Sequence, residues 1–362
     1  MPEKTRIAVV GFGLVGRRHA EVIRRAPDMV LAAIVEPSDQ GFAAAQAYDV
    51  PVFRSLSDML ATARPDGAVL ATPTPLHLDH GLLCIAAGCP ILIEKPITVT
   101  SEEARLLTER AASAGVPVLV GHHRRHNGMV RAAKAALVQG AVGEIRAVQA
   151  TCWLYKPDHY FECAPWRKQK GAGPISVNLV HDVDLLRHFC GDVAHVQAIA
   201  VPSRRGFENE DLATAVLRFR SGAVATISVS DSIVAPWSWE LTARENPAYP
   251  ATSESCYLIG GSKGGLSLPD LRIWHHDAAP DWWTPISARN LTCEMDDPLA
   301  AQMAHFAAVI AGRAAPLVSA VEGRKSLEVV EAVALSSATG RAIDIEPDMP
   351  TDAAPDSVSR FT

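Results

Sequence analysis

Nothing in this chain of 362 residues approaches the roughly 18 apolar residues of a membrane span. No block of Lys and Arg is long enough to track a phosphate backbone, and the formal net charge is -6. A nucleic-acid partner and a membrane partner are therefore not expected. No basic-then-apolar leader precedes the first strand pattern, so the expected setting is cytoplasmic. The seven cysteines (Cys84, Cys89, Cys152, Cys163, Cys190, Cys256 and Cys293) form no C-x-x-C pair. Their scatter among apolar patterns suggests buried free thiols. Clustered zinc ligands are missing too, so no metal is expected. There is no internal repeat.

What remains is the composition of an ordinary globular chain, with 48% hydrophobic and 20% charged residues. The first third alternates Val/Ile/Leu-rich strands with helical stretches. The strands read as Ile7–Val10, Leu31–Val35, Val52–Phe53, Ala68–Ala71, Ile91–Ile93 and Val118–Val120. The helices between them read as Arg17–Arg25, Phe42–Ala47, Leu56–Ala63, His77–Ala87 and Glu102–Ala114. Such alternation predicts an α/β, doubly wound parallel sheet over residues 1–122. Beyond it come a helix over Met129–Gln139, a strand over Ile145–Leu154 and an aromatic loop from Tyr155 to Lys170. A helix over Pro174–Phe189 follows, then strands His195–Val201, Leu212–Phe219, Val224–Val229, Cys256–Gly260 and Leu271–His275. Arg220-Ser221-Gly222 is a hairpin signal. Helices over Leu299–Ala311 and Gly323–Ser336 close the pattern. Strands in runs predict an α+β substrate domain over residues 123–346, with a large, mostly antiparallel, open-faced sheet. A loose tail is expected over 347–362.

The first strand runs into Gly11-Phe12-Gly13-Leu14-Val15-Gly16. Gly11 permits the tight turn, Gly13 lets the backbone approach a pyrophosphate, and Gly16 lets the helix pack close to the sheet. The pyrophosphate would lie on the helix N-terminus, where amide donors favour an anion. Glu36 ends the second strand, about 20 residues past the loop, where a carboxylate bonds a ribose 2′-OH and repels a 2′-phosphate. The expected cofactor is therefore NAD rather than NADP. The loop Thr72-Pro73-Thr74 after the fourth strand should line the cofactor cleft. His77 either joins it there or simply starts the next helix.

Glu94-Lys95-Pro96 ends the fifth strand beside the switch point. A lysine there would reach the reacting end of the cleft, though a surface lysine would fit the spacing equally. Partial desolvation lowers a lysine pKa towards the working range, and as a cation it polarises a carbonyl. Pro96 restrains the backbone and permits a cis bond. As a helix, residues 174–189 place Asn178, His181 and Asp182 on one face at i, i+3 and i+4. These groups either bond one another in a core or face a polar ligand. Trp153, Tyr155, His159 and Tyr160 suit a sugar-binding wall or an ordinary loop core. Arg124 and His123 leave the sixth strand towards the cleft, where they contact an anionic group or the cofactor, or else lie at the surface. The Trp282-Trp283 run has no mechanism attached to it.

The glycine loop, Thr72–His77, Glu94-Lys95-Pro96, Trp166-Arg167, the Gly171–Asp184 segment and Pro316-Leu317-Val318-Ser319 with Glu322-Gly323 resemble one family. It is the glucose-fructose oxidoreductase, inositol dehydrogenase and rhizopine-catabolism (Gfo/Idh/MocA) family. The resemblance implies a Rossmann domain followed by an open-sheet α/β domain, and homodimers or homotetramers built through that sheet. It implies that Lys95 and His181 act together on the hydroxyl of a sugar, cyclitol or derived acid. It also places Trp166 and Arg167 near nicotinamide and substrate. Many members carry an aspartate four residues before the helix histidine, and here that position is Val177. Asn178 then becomes the substitute substrate contact and Asp182 a candidate orienting partner. The leading expectation is an NAD-dependent oxidoreductase acting on a small polyol or sugar-like substrate. A redox-neutral, NAD-assisted glycosidase or lyase and a non-catalytic ligand sensor are the alternatives on the same fold.

Overall fold

The computed structural model describes residues 4–348. The first unit alternates strand and helix: β1 (Thr5–Val10), α1 (Leu14–Arg25), β2 (Met29–Val35), α2 (Asp39–Ala45), β3 (Val52–Phe53) and α3 (Leu56–Thr62). It continues with β4 (Gly67–Leu70), α4 (His77–Ala86), β5 (Ile91–Ile93), α5 (Ser101–Ala114) and β6 (Val118–Val120). All six strands are parallel in the order β3-β2-β1-β4-β5-β6. The order reverses between β1 and β4, which opens a crevice at their carboxyl ends. Sequence marks several helix ends plainly. Thr100 and Glu103 form a capping box on α5, and Gly115 closes it in the left-handed region at φ 66°.

The second unit comprises α6 (Gly128–Val138), β7 (Ile145–Trp153), α7 (Asp158–Glu162), α8 (Val180–Cys190), β8 (Val193–Pro202), β9 (Glu210–Phe219) and β10 (Val224–Ser230). It continues with α9 (Trp239–Thr242), β11 (Tyr257–Gly261), β12 (Gly264–Leu268), β13 (Arg272–His275) and β14 (Ser287–Asn290). The chain closes with α10 (Pro298–Ile310), α11 (Ala320–Thr339) and β15 (Ile343–Asp344). Nine strands run β14-β13-β12-β11-β7-β10-β9-β8-β15, and among them only the β7–β10 pair is parallel. Strict alternation in β9 buries Ala213, Ala215, Leu217 and Phe219 against the helices. The other face stays open, with Ile199 71% and Leu258 51% exposed. Among the described residues no helix is long and apolar enough to cross a membrane. All seven cysteines are free thiols.

Several elements differ from the sequence reading. Residues 174–189 are not one α-helix: Ile175–Leu179 forms a π-helical turn before α8. Half-buried Glu210 accepts the Ile175 N–H at 2.9 Å at the start of that turn. The loop 155–170 holds α7 and a 3-10 turn over Pro165–Lys168. Strands β12, β14 and β15 were not marked by alternation, being short or glycine-bearing. The division at residue 122 separates the two sheets, yet α10 packs Met303, Phe306 and Ala307 into the first core. Val318 also accepts the Val120 N–H beside β6. Of the expected loose tail, Pro347 and Asp348 are described, and Asp348 lies 3.3 Å from Lys325 on α11. Residues 349–362 lie outside the described residues.

The glycine loop is tightly packed. Gly11 sits at φ 87°, and a Cβ on Gly16 would come within 1.9 Å of the Gly11 carbonyl oxygen. Gly16→Ala should therefore destabilise the chain by ~1–3 kcal/mol through overpacking. A urea unfolding titration reads this directly, and an unchanged midpoint would mean the loop is less tightly held.

Candidate active site

At the amino end of α1, Gly13 is the N-cap and no side chain caps the helix. Its free N–H groups therefore await an acceptor. A Cβ on Gly13 would meet nothing within 4 Å, and Leu14 beside it is 83% exposed. An open cradle with unpaired donors fits a dinucleotide pyrophosphate. Phe12 and Gly16 are buried, so they shape the loop rather than face the cradle, while Val15 is exposed. Glu36 sits at the end of β2 as expected. One carboxylate oxygen accepts the Phe12 N–H at 2.9 Å, and the other accepts the Ser38 N–H at 2.9 Å and its hydroxyl at 2.7 Å. Burial opposes the charge, but these bonds and Arg17 outweigh it and hold the carboxyl below its ordinary value. An ionised carboxylate with one acceptor position left beyond these three bonds suits a ribose hydroxyl.

Thr72 packs against this turn, since a Cβ on Gly11 would come within 3.0 Å of its methyl group. Pro73 and Thr74 start a 3-10 turn leading into α4. His77 is buried, with Nδ1 at 2.9 Å from the Pro96 carbonyl and Nε2 at 2.9 Å from the Thr72 carbonyl. Burial lowers its pKa, so the neutral ring donates its one N–H to one of these carbonyls and packs its other nitrogen against the second; the side chain lies between two loops rather than open to a cofactor.

Lys95 stands on the cis Lys95–Pro96 turn at the end of β5. Its neighbour Glu94 bonds His19 on α1 at 2.7 Å and accepts the Lys95 N–H at 3.2 Å. Burial would raise the Glu94 carboxyl, but His19 brings it down to about 2. Glu94 thus serves as an anchor here rather than as a cofactor ligand. The Lys95 ammonium makes no ion pair within 4 Å among the described residues. Burial lowers its proton affinity, and Arg124 adds to this while Glu94 opposes it.

His181 on α8 meets His122 and His123 edge-on, with ring centroids 6.3 and 5.7 Å apart. Its Nδ1 is buried without a partner, so no hydrogen bond pins the tautomer. Burial, then the charge of Lys95, holds its pKa well below the ordinary value, leaving a neutral imidazole at neutral pH. His122 is likewise pushed down to about 4, by burial first.

The expected polar face of residues 178–182 does not form. The π-turn and α8 send its members in different directions. Asn178 accepts a 2.7 Å bond from the buried Lys156 ammonium. Asp182 accepts from Arg124 at 3.0 Å and from the Tyr257 hydroxyl, so it does not orient His181. Burial pushes the Asp182 carboxyl up to about 6. Arg124, expected at the cofactor, is itself buried between Asp182 and Glu240, the latter at 2.7 Å. Arg125 grips Asp184 with two bonds, at 2.9 and 2.7 Å, and ties the turn after β6 to α8. His123 bonds Glu245 at 2.6 Å.

On the second sheet, Trp153 donates to Ser228 at 2.9 Å and packs on Trp237, whereas Tyr155 is 46% exposed. Trp166 is 54% exposed, and Arg167 beside it donates to the Tyr160 carbonyl at 2.7 Å. Lys156 and Glu240 escaped the sequence reading. One signal for Lys156 was available: Lys156-Pro157 repeats the strand-end Lys-Pro pattern of Lys95-Pro96.

Residues 5–122 match an oxidoreductase family with an NAD-binding Rossmann fold (GFO_IDH_MocA), and residues 130–267 match the GFO/IDH/MocA C-terminal domain. The chain is 27% identical over 302 residues to a 1,5-anhydro-D-fructose reductase from Ensifer adhaerens, covering 81% of this chain and 83% of that protein. It is 25% identical over 357 residues to a D-apiose dehydrogenase from Paraburkholderia graminis, covering 94% and 89%. A solved WlbA dehydrogenase from Bordetella pertussis, in complex with NADH and UDP-GlcNAcA, superposes with a TM-score of 0.77 at 26% identity. That superposition covers 96% of this chain and 100% of the other.

Two expectations follow from the geometry. Asp184→Ala removes the bidentate partner of the buried Arg125 guanidinium, leaving it only Glu322 at 3.2 Å, and should cost ~3 kcal/mol in urea unfolding. Glu36→Ala should narrow the preference for NADH over NADPH by at least about tenfold in fluorescence titrations, and an unchanged ratio would remove Glu36 from cofactor selection.

Proposed function

The chain belongs to the GFO/IDH/MocA oxidoreductase family, and on that premise we propose that it moves a hydride between NAD and a secondary alcohol or ketone of a sugar, cyclitol or sugar-acid-like substrate. The observation that carries the reading is an ammonium without an ion pair, Lys95 at the carboxyl end of β5, whose charge acts on the buried, neutral imidazole of His181 on α8. Bound NAD supplies the hydride acceptor or donor. Lys95 donates a hydrogen bond to the substrate oxygen and stabilises negative charge developing there. His181, holding no proton at rest, accepts the hydroxyl proton in the oxidation direction and returns it in reduction. Burial first, and then the positive charge of Lys95, keep His181 neutral. Partial burial of both strengthens these interactions relative to water. The relatives named as acting on an anhydro-fructose and an apiose support a polyhydroxylated substrate. The exposed apolar residues on the open sheet, Ile199 and Leu258 among them, support a second copy of the chain as the cover of that face, in a dimer or tetramer.

Lys95→Met and His181→Asn should each lower kcat by about 10²–10⁴-fold with NADH affinity retained. Near-wild-type turnover in either variant would remove that residue from the proposal. The depressed His181 pKa also fixes the pH response. The acid limb of kcat/KM for oxidation should lie below the ordinary imidazole value of 6.5, because His181 stays unprotonated until the pH falls past its lowered pKa. A limb at or above that value would contradict the assignment.

A further inference from the structure

A proton that His181 takes from a substrate hydroxyl has to reach water before the next turnover. Two other imidazole rings meet that of His181, those of His122 and His123. His122 is a dead end. Its side chain is 2% exposed, Asp184 stands 3.9 Å from its Nδ1, and both ring nitrogens are buried without a hydrogen bond. Lys95 and Arg124, whose charges act on His181, are cations with no lone pair to offer. His123 differs. Its side chain is 24% exposed, its ring centroid lies 5.7 Å from that of His181, and the two rings meet edge to face.

Among the described residues, His123 is also the one ring of these three hydrogen-bonded to a carboxylate. Its Nε2 lies 2.6 Å from one oxygen of Glu245. The other oxygen accepts from the Trp239 indole at 2.7 Å and from the Asn127 amide at 3.2 Å. Burial would raise the Glu245 carboxyl, but the bonds to His123 and Trp239 and the charge of Arg124 hold it down to about 2. An ionised carboxylate only accepts, so a neutral His123 carries its proton on Nε2 and keeps a lone pair on Nδ1. No protein group bonds that Nδ1 among the described residues. Arg244, directly before Glu245, holds φ 55°, a left-handed conformation that is costly for a residue other than glycine. The chain accepts this strain where it turns the carboxylate onto His123. Glu94, His126 and His181 are also near enough to feel the charge of His123.

We propose that His123 relays the proton between His181 and solvent, with Glu245 as the positioning residue that sets its tautomer. In oxidation His181 gains the hydroxyl proton and NAD takes the hydride. One N–H bond of the resulting imidazolium then breaks as Nδ1 of His123 gains a proton, directly or through one water. His123 now carries two protons, with Glu245 as its counter-charge, and releases the Nδ1 proton to water. Reduction runs the same steps backwards. This inference rests on the dehydrogenase reading above and adds a second proton-carrying group to it.

Long-range ¹H–¹⁵N NMR of the NADH-saturated protein reads the tautomer without any substrate, with His123→Gln to assign the ring. His123 should carry its proton on Nε2, and a proton on Nδ1 instead would overturn the relay. Turnover with NAD is then followed on myo-inositol, D-glucose and D-gluconate. On whichever probe reacts, His123→Ala should lower kcat at least about tenfold, and imidazole added to the buffer should raise it again at least about fivefold. Glu245→Gln should lower kcat and enlarge its solvent isotope effect, and it keeps the test open if His123→Ala fails to fold. An undiminished kcat in His123→Ala, or a loss that imidazole leaves untouched, would overturn the relay. Turnover of none of the probes by the wild type would instead count against the dehydrogenase reading, while the tautomer still decides the relay.

Discussion

Lys95 keeps a free ammonium because Glu94, its neighbour in sequence, is spent on His19. Without that bond Glu94 would be free to pair with the ammonium at the end of β5 and hold its proton more tightly. His19 lies on α1, directly behind the glycine loop, so the helix that presents backbone donors to a pyrophosphate also restrains the reacting lysine. His77 adds a second restraint by sitting between the Thr72 and Pro96 carbonyls, just past the ends of the neighbouring strands β4 and β5. Cofactor cradle and amine are thereby parts of one braced unit, which is what hydride transfer over a short fixed distance requires.

The second unit supplies the other half of the site through buried charge pairs. Arg124 and Arg125, consecutive in the turn after β6, engage different partners: Asp182 and Glu240 for one, Asp184 and Glu322 for the other. Both lock α8 against the turn leaving the first sheet, and this fixes where His181 stands. The expense of burying these ions is met by good geometry, with bidentate contact at Asp184. An imidazole held in this way needs no carboxylate of its own to be positioned, which accounts for Asp182 being engaged elsewhere.

Much of the first unit was legible because its signals are local. Strand–helix alternation, the glycine spacing and the acid at Glu36 each depend on residues close in sequence. The second unit was read less completely, for physical reasons. The π-turn at Ile175–Leu179 begins at a bond to Glu210, 35 residues away, and it breaks the i, i+3, i+4 face that a plain helix would give Asn178, His181 and Asp182. Arg124 and Asp182 looked available for ligands because nothing local shows that they pair with each other across 58 residues. The return of α10 to the first core is also a long-range packing event, invisible to periodicity. Lys156 was missed although its Lys-Pro pattern was present, because a single lysine in an aromatic loop reads as solvated until its burial is seen.

The central claim is that Lys95 carries a desolvated, uncommitted amine whose proton affinity is depressed. Reductive ¹³C-methylation followed by NMR titration, with Lys95→Arg to assign the resonance, measures this directly. The account predicts that Lys95 titrates below the ordinary lysine value of 10.5 and below the exposed lysines of the same sample. It further predicts that the value rises in His19→Phe, where Glu94 is free to pair with it. A Lys95 resonance titrating at or above 10.5 in the wild type, unmoved by His19→Phe, would contradict the account.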